Sequence, residues 1–290
     1  RRQLRKDIDL VEGTRTDVAQ ADARLQASIA GLAAGRASLQ ASKATYRQVV
    51  GRDPKKLTSK NNIENLLPSS LDKAIAQALR NHPAILASEH AVDASIFAVK
   101  IAEGALLPSV SLQGSLSRSW DTQSADIVDN AQVGLRASIP LYQGGGEHAD
   151  VRKAKEELGA ARIQVDIVRD QVRAGVVSAW SQFQAAKGSI EAARAQVEAQ
   201  QLVLAGVIEE QRVGQRTTLD VLNAQSELIS ARANLIQAET NRVLAAAGVV
   251  SAVGKLTVEG MNLRVTRYDP AAHYNAVRNQ WYGTKTPDGR

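Results

Sequence analysis

Cysteine is absent from this 290-residue chain, so no disulfide staples any part of it. An envelope protein that needs no disulfides and an intracellular protein satisfy that absence equally. Aromatic residues make up only 3% of the chain, too few for the thick core of a compact globule. No run of about 18 apolar residues occurs, which excludes a transmembrane helix and leaves β-strands as the route into a bilayer. The chain opens on Arg1-Arg2-Gln3-Leu4, with neither an initiator Met nor an apolar signal segment. It reads as a portion of a longer protein whose export signal and first part precede Arg1.

Chemistry-bearing motifs are missing as well. No Gly-x-Ser-x-Gly elbow and no paired acid/base constellation is present, and Gly144-Gly145-Gly146 lacks the Lys-Ser/Thr of a phosphate loop. His82, His90, His148 and His273 are scattered, so neither a metal site nor a cofactor is expected. An enzyme is the least favoured class. The formal charge is +6, with basic residues at Arg1 to Lys6, Arg52 to Lys60 and from Arg264 onward. These are not gathered on one helical face with aromatics between them, so they read as solvated loops and ends, and no nucleic-acid partner is expected.

What the chain has is Ala, Val and Leu at helical spacing, a composition that suits long, closely approaching helices. From Asp17 to Val50 an apolar residue falls every seven, at Val18, Leu25, Leu32, Leu39 and Tyr46. That is a coiled-coil seam about 50 Å long, ended by Gly51 and Pro54. A connector over 51–70 leads to a helix from about Leu71 to Leu106, capped by Ser69 or Ser70 and kinked or divided at Pro83. The longest helical stretch runs from Glu147 to about Arg212, with Val151, Leu158, Val165 and Val172 at sevens. Unbroken, it reaches about 100 Å, which a compact domain cannot hold. Trp180 on it reads as a packing residue. After a turn at 213–217, a helix from about Leu219 to Val253 repeats the spacing at Leu222, Ile229, Ile236 and Val243. Leu256 to Val265 suggests a short strand, and the tail to Arg290 reads as loop.

Between these helices the period changes from seven to two. Val110, Leu112, Gly114, Leu116, Arg118 and Trp120 alternate with serines and Gln113. After a polar loop from Asp121 to Asn130, Ala131, Val133, Leu135, Ala137, Ile139 and Leu141 alternate with Gln132, Gly134, Arg136 and Ser138. Side chains alternate across a strand, so each run has one apolar and one polar face. A soluble half-buried hairpin and a pair of membrane strands both fit. Each run is about 11 to 13 residues, enough to cross a bilayer when tilted, and Trp120 and Tyr142 sit where aromatics mark a membrane interface. Pro108 at one end, and Pro140 with Gly144 and Gly145 at the other, mark the strand–helix transitions.

The chain also repeats itself. Asp17-Val18 aligns with Asp220-Val221, and the same offset pairs Leu25 with Leu228, Leu32 with Leu235 and Gly51 with Gly254. A duplicated helix-turn-helix unit explains this.

Ile139-Pro140-Leu141-Tyr142-Gln143-Gly144-Gly145 resembles the strand-to-helix signature of TolC-type outer-membrane efflux proteins. The run from Val213 to Ala224 resembles that family's helix turn at the periplasmic tip, and Asp17 to Ala21 resembles the same site in the first repeat. The resemblance covers about Gly13 to Gly254. It implies a mainly α fold with a β-hairpin: long antiparallel coiled-coil helices forming an α-barrel, and two strands of a trimeric 12-stranded transmembrane β-barrel. The expected divisions are 1–106 for first-repeat helices, 107–146 for the membrane hairpin, 147–254 for second-repeat helices and 255–290 for the tail.

The implied function is an outer-membrane channel-tunnel, the passive exit duct of a tripartite multidrug efflux pump or type I secretion system. Its implied partners are two further copies in a homotrimer, a periplasmic adaptor, an inner-membrane transporter and the lipid bilayer. Val110, Leu112, Leu116, Val133, Leu135, Ile139 and Leu141 are the expected lipid-facing residues. At the periplasmic aperture the resemblance implicates Thr16, Asp17, Gln211, Arg216, Asp220 and Asn223. Arg216 is expected to reach Thr16 and Asp17, and Asp220 to give a ring of three carboxylates favouring cations. Gln211 stands where the best-known member has a tyrosine, and neutral Asn223 stands at that member's second acidic ring, so a looser latch is expected. The plain reading of Thr16, Asp17, Thr217 and Asp220 is helix capping, which can coexist with gating. The rival to the duct is a periplasmic adaptor with a coiled-coil hairpin, disfavoured because no lipoyl-like β-flanks are seen; a purely structural coiled coil comes third.

Overall fold

The computed structural model describes residues 15–55, 57, 63–120, 127–266 and 268–283, without the side chains of Arg15, Asp17 and Trp120. The described chain forms two units, one spanning Asp72–Val176, the other joining the residues up to Leu71 with those from Val177 onward.

In the second of these, α1 (Arg15–Val50) is the first-repeat helix. It ends at Gly51, whose N–H reaches the Arg47 carbonyl at 2.8 Å in a left-handed conformation, φ +80°. A 3-10 helix (Ile63–Leu66) follows in the connector. α4 (Gly146–Arg212) and α5 (Thr218–Ala252) are the second-repeat helices. α5 ends at Gly254, φ +81°, so the two glycines that the duplication aligns share one backbone geometry that only glycine adopts without strain. Leu235 packs against a cluster of Ile190, Ala193 and Ala238, and Arg194 meets Glu239 at 3.6 Å. Cα atoms of α1 and α5 come within 8 Å of one another, and the 3-10 helix packs on α5, where Arg242 pairs with Glu64 at 3.0 Å. The Trp180 ring lies tilted against buried Phe183, 6.4 Å between centroids, which bears out its packing role.

The seam of α1 behaves differently. Leu25, Leu32 and Leu39 are exposed, the latter two by 56%, whereas Ala231, Ala246, Val249 and Val250 of α5 are buried. The heptad pattern formed its helix, but the described residues leave the three leucines of its stripe uncovered, with Val18 and Tyr46 half-buried at the ends.

In the Asp72–Val176 unit, α2 (Leu71–Asn81) and α3 (Pro83–Gly104) are separate helices. Pro83 supplies no N–H and forces His82 into an extended conformation, ψ 127°. The His82 ring then accepts from the Ala84 N–H at 3.2 Å, capping α3, and its partial burial lowers the imidazole pKa. Arg169 of α4 pairs with Glu89 of α3 at 2.9 Å, and Lys155 with Glu103 at 3.3 Å. Both pairs are fourteen residues apart on each helix, in opposite directions (103 − 89 and 169 − 155), so α3 and the start of α4 run antiparallel.

β1 (Ser109–Trp120) and β2 (Ile127–Ser138) form an antiparallel pair. The second strand starts earlier than the alternation suggests: residues 127–130, expected as loop, pair with β1, while Ile139 and Leu141 fall beyond the ladder. Asp121 to Asp126 lie outside the described residues. The expected strand over Leu256–Val265 is instead a series of turns, with Met261 N–H on the Thr257 carbonyl and Leu263 N–H on the Val258 carbonyl, both at 3.0 Å. Gly260 is the reason: a Cβ there would meet the Lys255 carbonyl oxygen at 2.2 Å, and Asn262 turns the chain again at φ +50°. In the tail, α6 (Pro270–Val277) replaces part of the expected loop, capped by Asp269 through the Ala271 N–H at 2.9 Å.

Because α5 buries alanine, size should be felt there. Ala246→Leu adds methylenes at a position with no exposed surface and should destabilise by about 1–3 kcal/mol through overpacking. Thermal unfolding followed by circular dichroism reads this; an unchanged transition would show that the site has room.

Candidate functional site

The turn between α4 and α5 is built from backbone bonds that close both helices. Gly214, φ +78°, lets its N–H reach the Gln211 carbonyl at 3.0 Å while the Gln215 N–H reaches Glu210 at 2.9 Å. This pair of bonds satisfies the last carbonyls of α4 in a Schellman motif. Thr217 then caps α5. Its hydroxyl accepts from the Asp220 N–H at 3.2 Å, and the Asp220 carboxylate accepts from the Thr217 N–H at 3.0 Å and hydroxyl at 2.9 Å. The capping expected of these two residues is a complete capping box.

The charges at the turn are satisfied locally. Arg216 donates from Nε to Glu210 at 2.8 Å, and this bond, with the Glu210 and Asp220 charges, raises the guanidinium pKa. Asp220 is held below the usual carboxylate range by the Thr217 N–H, then the Thr217 hydroxyl, then the Arg216 charge. The expected reach of Arg216 to Asp17 falls on a side chain outside the described residues; Thr16 is exposed, and the described partner of Arg216 is Glu210. Sequence reasoning passed over Glu210. Its signal was present, an acid just before a turn whose arginine lies six residues on. Gln211 is exposed. Asn223 is half-buried, with Oδ1 shielded from water and unpartnered among the described residues.

The hairpin is the other candidate surface. Its register sets Leu112 opposite Leu135, Gly114 opposite Val133 and Leu116 opposite Ala131, so the apolar sets of both strands share one face. That face is open: Leu116 is 86% and Val133 81% exposed. Val110, Leu112 and Leu135 are exposed with them, and so are Ile139 and Leu141, although these two follow the ladder. Arg118 shares the face of these apolar residues, and the register puts Asp129 directly across, where the two pair through bonds of 2.5 and 2.6 Å. Pro108 precedes β1, Pro140 follows β2, and Gly144 and Gly145, at φ +67° and +84°, lead into α4.

The capping box makes the tip sensitive to acid. A carboxyl whose native pKa is depressed contributes stability above its unfolded pKa of about 3.9 and loses it as pH falls through the lower native value. The protection of the Thr217 and Asp220 amides, taken relative to their intrinsic exchange rate at each pH, should therefore hold at neutral pH and be lost only under strong acid. Thr217→Ala should cost α5 about 1 kcal/mol at its start, read as faster exchange in its first turn at neutral pH; unaltered exchange would mean that the box does not hold the helix end.

The family model for outer membrane efflux proteins matches residues 74–255, which include the hairpin, α4, the turn and α5. Across its whole length the chain is 47% identical to outer membrane efflux protein BepC of Brucella suis biovar 1, covering 64% of that protein. It is 25% identical to outer membrane protein TolC of Escherichia coli K12 over 85% of this chain and 53% of that one. The solved outer-membrane channel OprN shares 26% identity at a TM-score of 0.65, over 87% of this chain and 58% of that channel. The chain thus spans about half to two thirds of the length of these relatives. The outer membrane is the family's location, with its helical part in the periplasm. By sequence, by its long helices and by its exposed antiparallel hairpin, the chain belongs to the outer membrane efflux protein family.

Proposed function

We propose that this protein is the passive exit duct of a tripartite multidrug efflux pump or type I secretion system. It works as a homotrimer, takes its energy from an inner-membrane transporter and meets that transporter through a periplasmic adaptor. No bond is made or broken by its own residues. The observation that carries the reading is the hairpin register. It gives two 12-residue strands one open apolar face and one polar face, a length and a chemistry that suit a barrel wall between lipid and water. In this reading three copies pool their strands into a twelve-stranded barrel, and the helices continue the bore through the periplasm.

A further observation supports assembly. The α1 stripe of Leu25, Leu32 and Leu39 is exposed at heptad spacing, the pattern of a helix that packs against neighbours. The proposed divisions are helices to 106, hairpin over 107–146, helices over 147–254 and a tail beyond. The adaptor reading loses ground to the family membership and to the lipid-compatible strand face.

At the tip, Thr16, Asp17, Gln211, Arg216, Asp220 and Asn223 form the proposed aperture, with Glu210 added as the holder of Arg216. Opening is a biased two-state change that the adaptor favours by docking on the helical tips. The full-length protein should purify in detergent as trimers and conduct ions in planar bilayers; a water-soluble monomer without conductance would sink the duct. Arg216→Ala should raise single-channel conductance by freeing the turn, and an unchanged conductance counts against the gating role.

A further inference from the structure

Arg136 is the uncompensated charge of the hairpin. On the apolar face the two charged residues, Arg118 and Asp129, stand opposite each other and bond twice, so that face carries no net charge. The polar face consists of serines, Gln113, Gln132, Asn130, Gly134 and Val128, with Arg136 as its one ionised side chain. Arg136 lies opposite Ser111, is exposed, and has no hydrogen bond or ion pair among the described residues.

Resting on the duct reading above, we infer that Arg136, contributed by three copies, forms a basic ring inside the membrane barrel that makes this part of the bore favour anionic solutes. The polar face is the one turned to water in that reading, so three guanidinium groups share one level of the bore. A ring of like charges in a water-filled channel concentrates ions of opposite sign and penalises its own, the basis of selectivity in anion pores. Of the acids nearest in sequence, Asp129 is bonded to Arg118 on the other face, Glu147 lies beyond the ladder in the first turn of α4, and Asp126 precedes Ile127. Arg136 is nine residues along β2 from Ile127 (136 − 127), about 30 Å at the rise of a strand. That is about three Debye lengths at 0.1 M salt, too far for an acid at the Ile127 end to cancel the ring. A ring of this sign makes its level of the bore favour acidic cargo.

The test is the reversal potential of the full-length protein in planar bilayers across a potassium chloride gradient, for wild type, Arg136→Gln and Arg136→Lys. In about 0.1 M salt the chloride-over-potassium permeability ratio should fall about twofold or more in Arg136→Gln and hold in Arg136→Lys, with the difference shrinking near 1 M salt as screening tightens. Channels whose ratio is the same in Arg136→Gln as in wild type overturn the ring and leave the duct intact. Folded trimers that never conduct overturn the duct, and the ring falls with it.

Discussion

A two-stranded ribbon leaves a row of N–H and C=O groups unpaired along each outer edge, and hydrocarbon offers nothing to bond them. Each such group costs several kcal/mol in lipid, which is why strands enter membranes only as closed barrels. β1 and β2 satisfy each other along twelve facing pairs, so the inner ladder is complete and the outer edges are not. Everything proposed about assembly follows from that constraint. The apolar face, the polar face and the paired Arg118 and Asp129 describe one panel of a wall, and a panel needs neighbours. In the proposed barrel the charge pair fits the same logic, since ions turned to lipid persist only when partnered.

The helices answer a different requirement. Their heptad stripes are rich in Ala, Val and Leu, and burial is shared unevenly: α5 buries small residues while α1 leaves Leu25, Leu32 and Leu39 open. Small residues let backbones approach, as α1 and α5 do, while the larger leucines of α1 stay exposed at the same period. Ion pairs such as Arg169 with Glu89 and Arg242 with Glu64 fix which helix faces which. Among the described residues no polar or charged residue is fully buried, as expected where packing surfaces are narrow seams.

Function at the turn rests on local bonds. The Schellman bonds at Gly214 and the capping box of Thr217 and Asp220 close two helix ends in a few residues. That leaves the guanidinium of Arg216 to Glu210 and the carboxylate of Asp220 to the cap. Under the proposed gating, opening would have to exchange bonds that are already made.

Period and punctuation determined most of the architecture from the sequence alone. Repeats of seven set the long helices, Pro83 divided one of them, alternation set the hairpin, and Gly51 and Gly254 ended the paired repeats in the same left-handed turn. These are short-range effects, decided by sterics and by the side-chain period of each element. Tertiary structure decided the remainder: that β2 begins at Ile127, that Asp129 meets Arg118, that Glu210 holds Arg216, and that 256–265 turns around Gly260 where a strand was expected. Each depends on which atoms from distant positions meet, or on space for a Cβ, and a linear pattern of apolar and polar residues carries neither quantity.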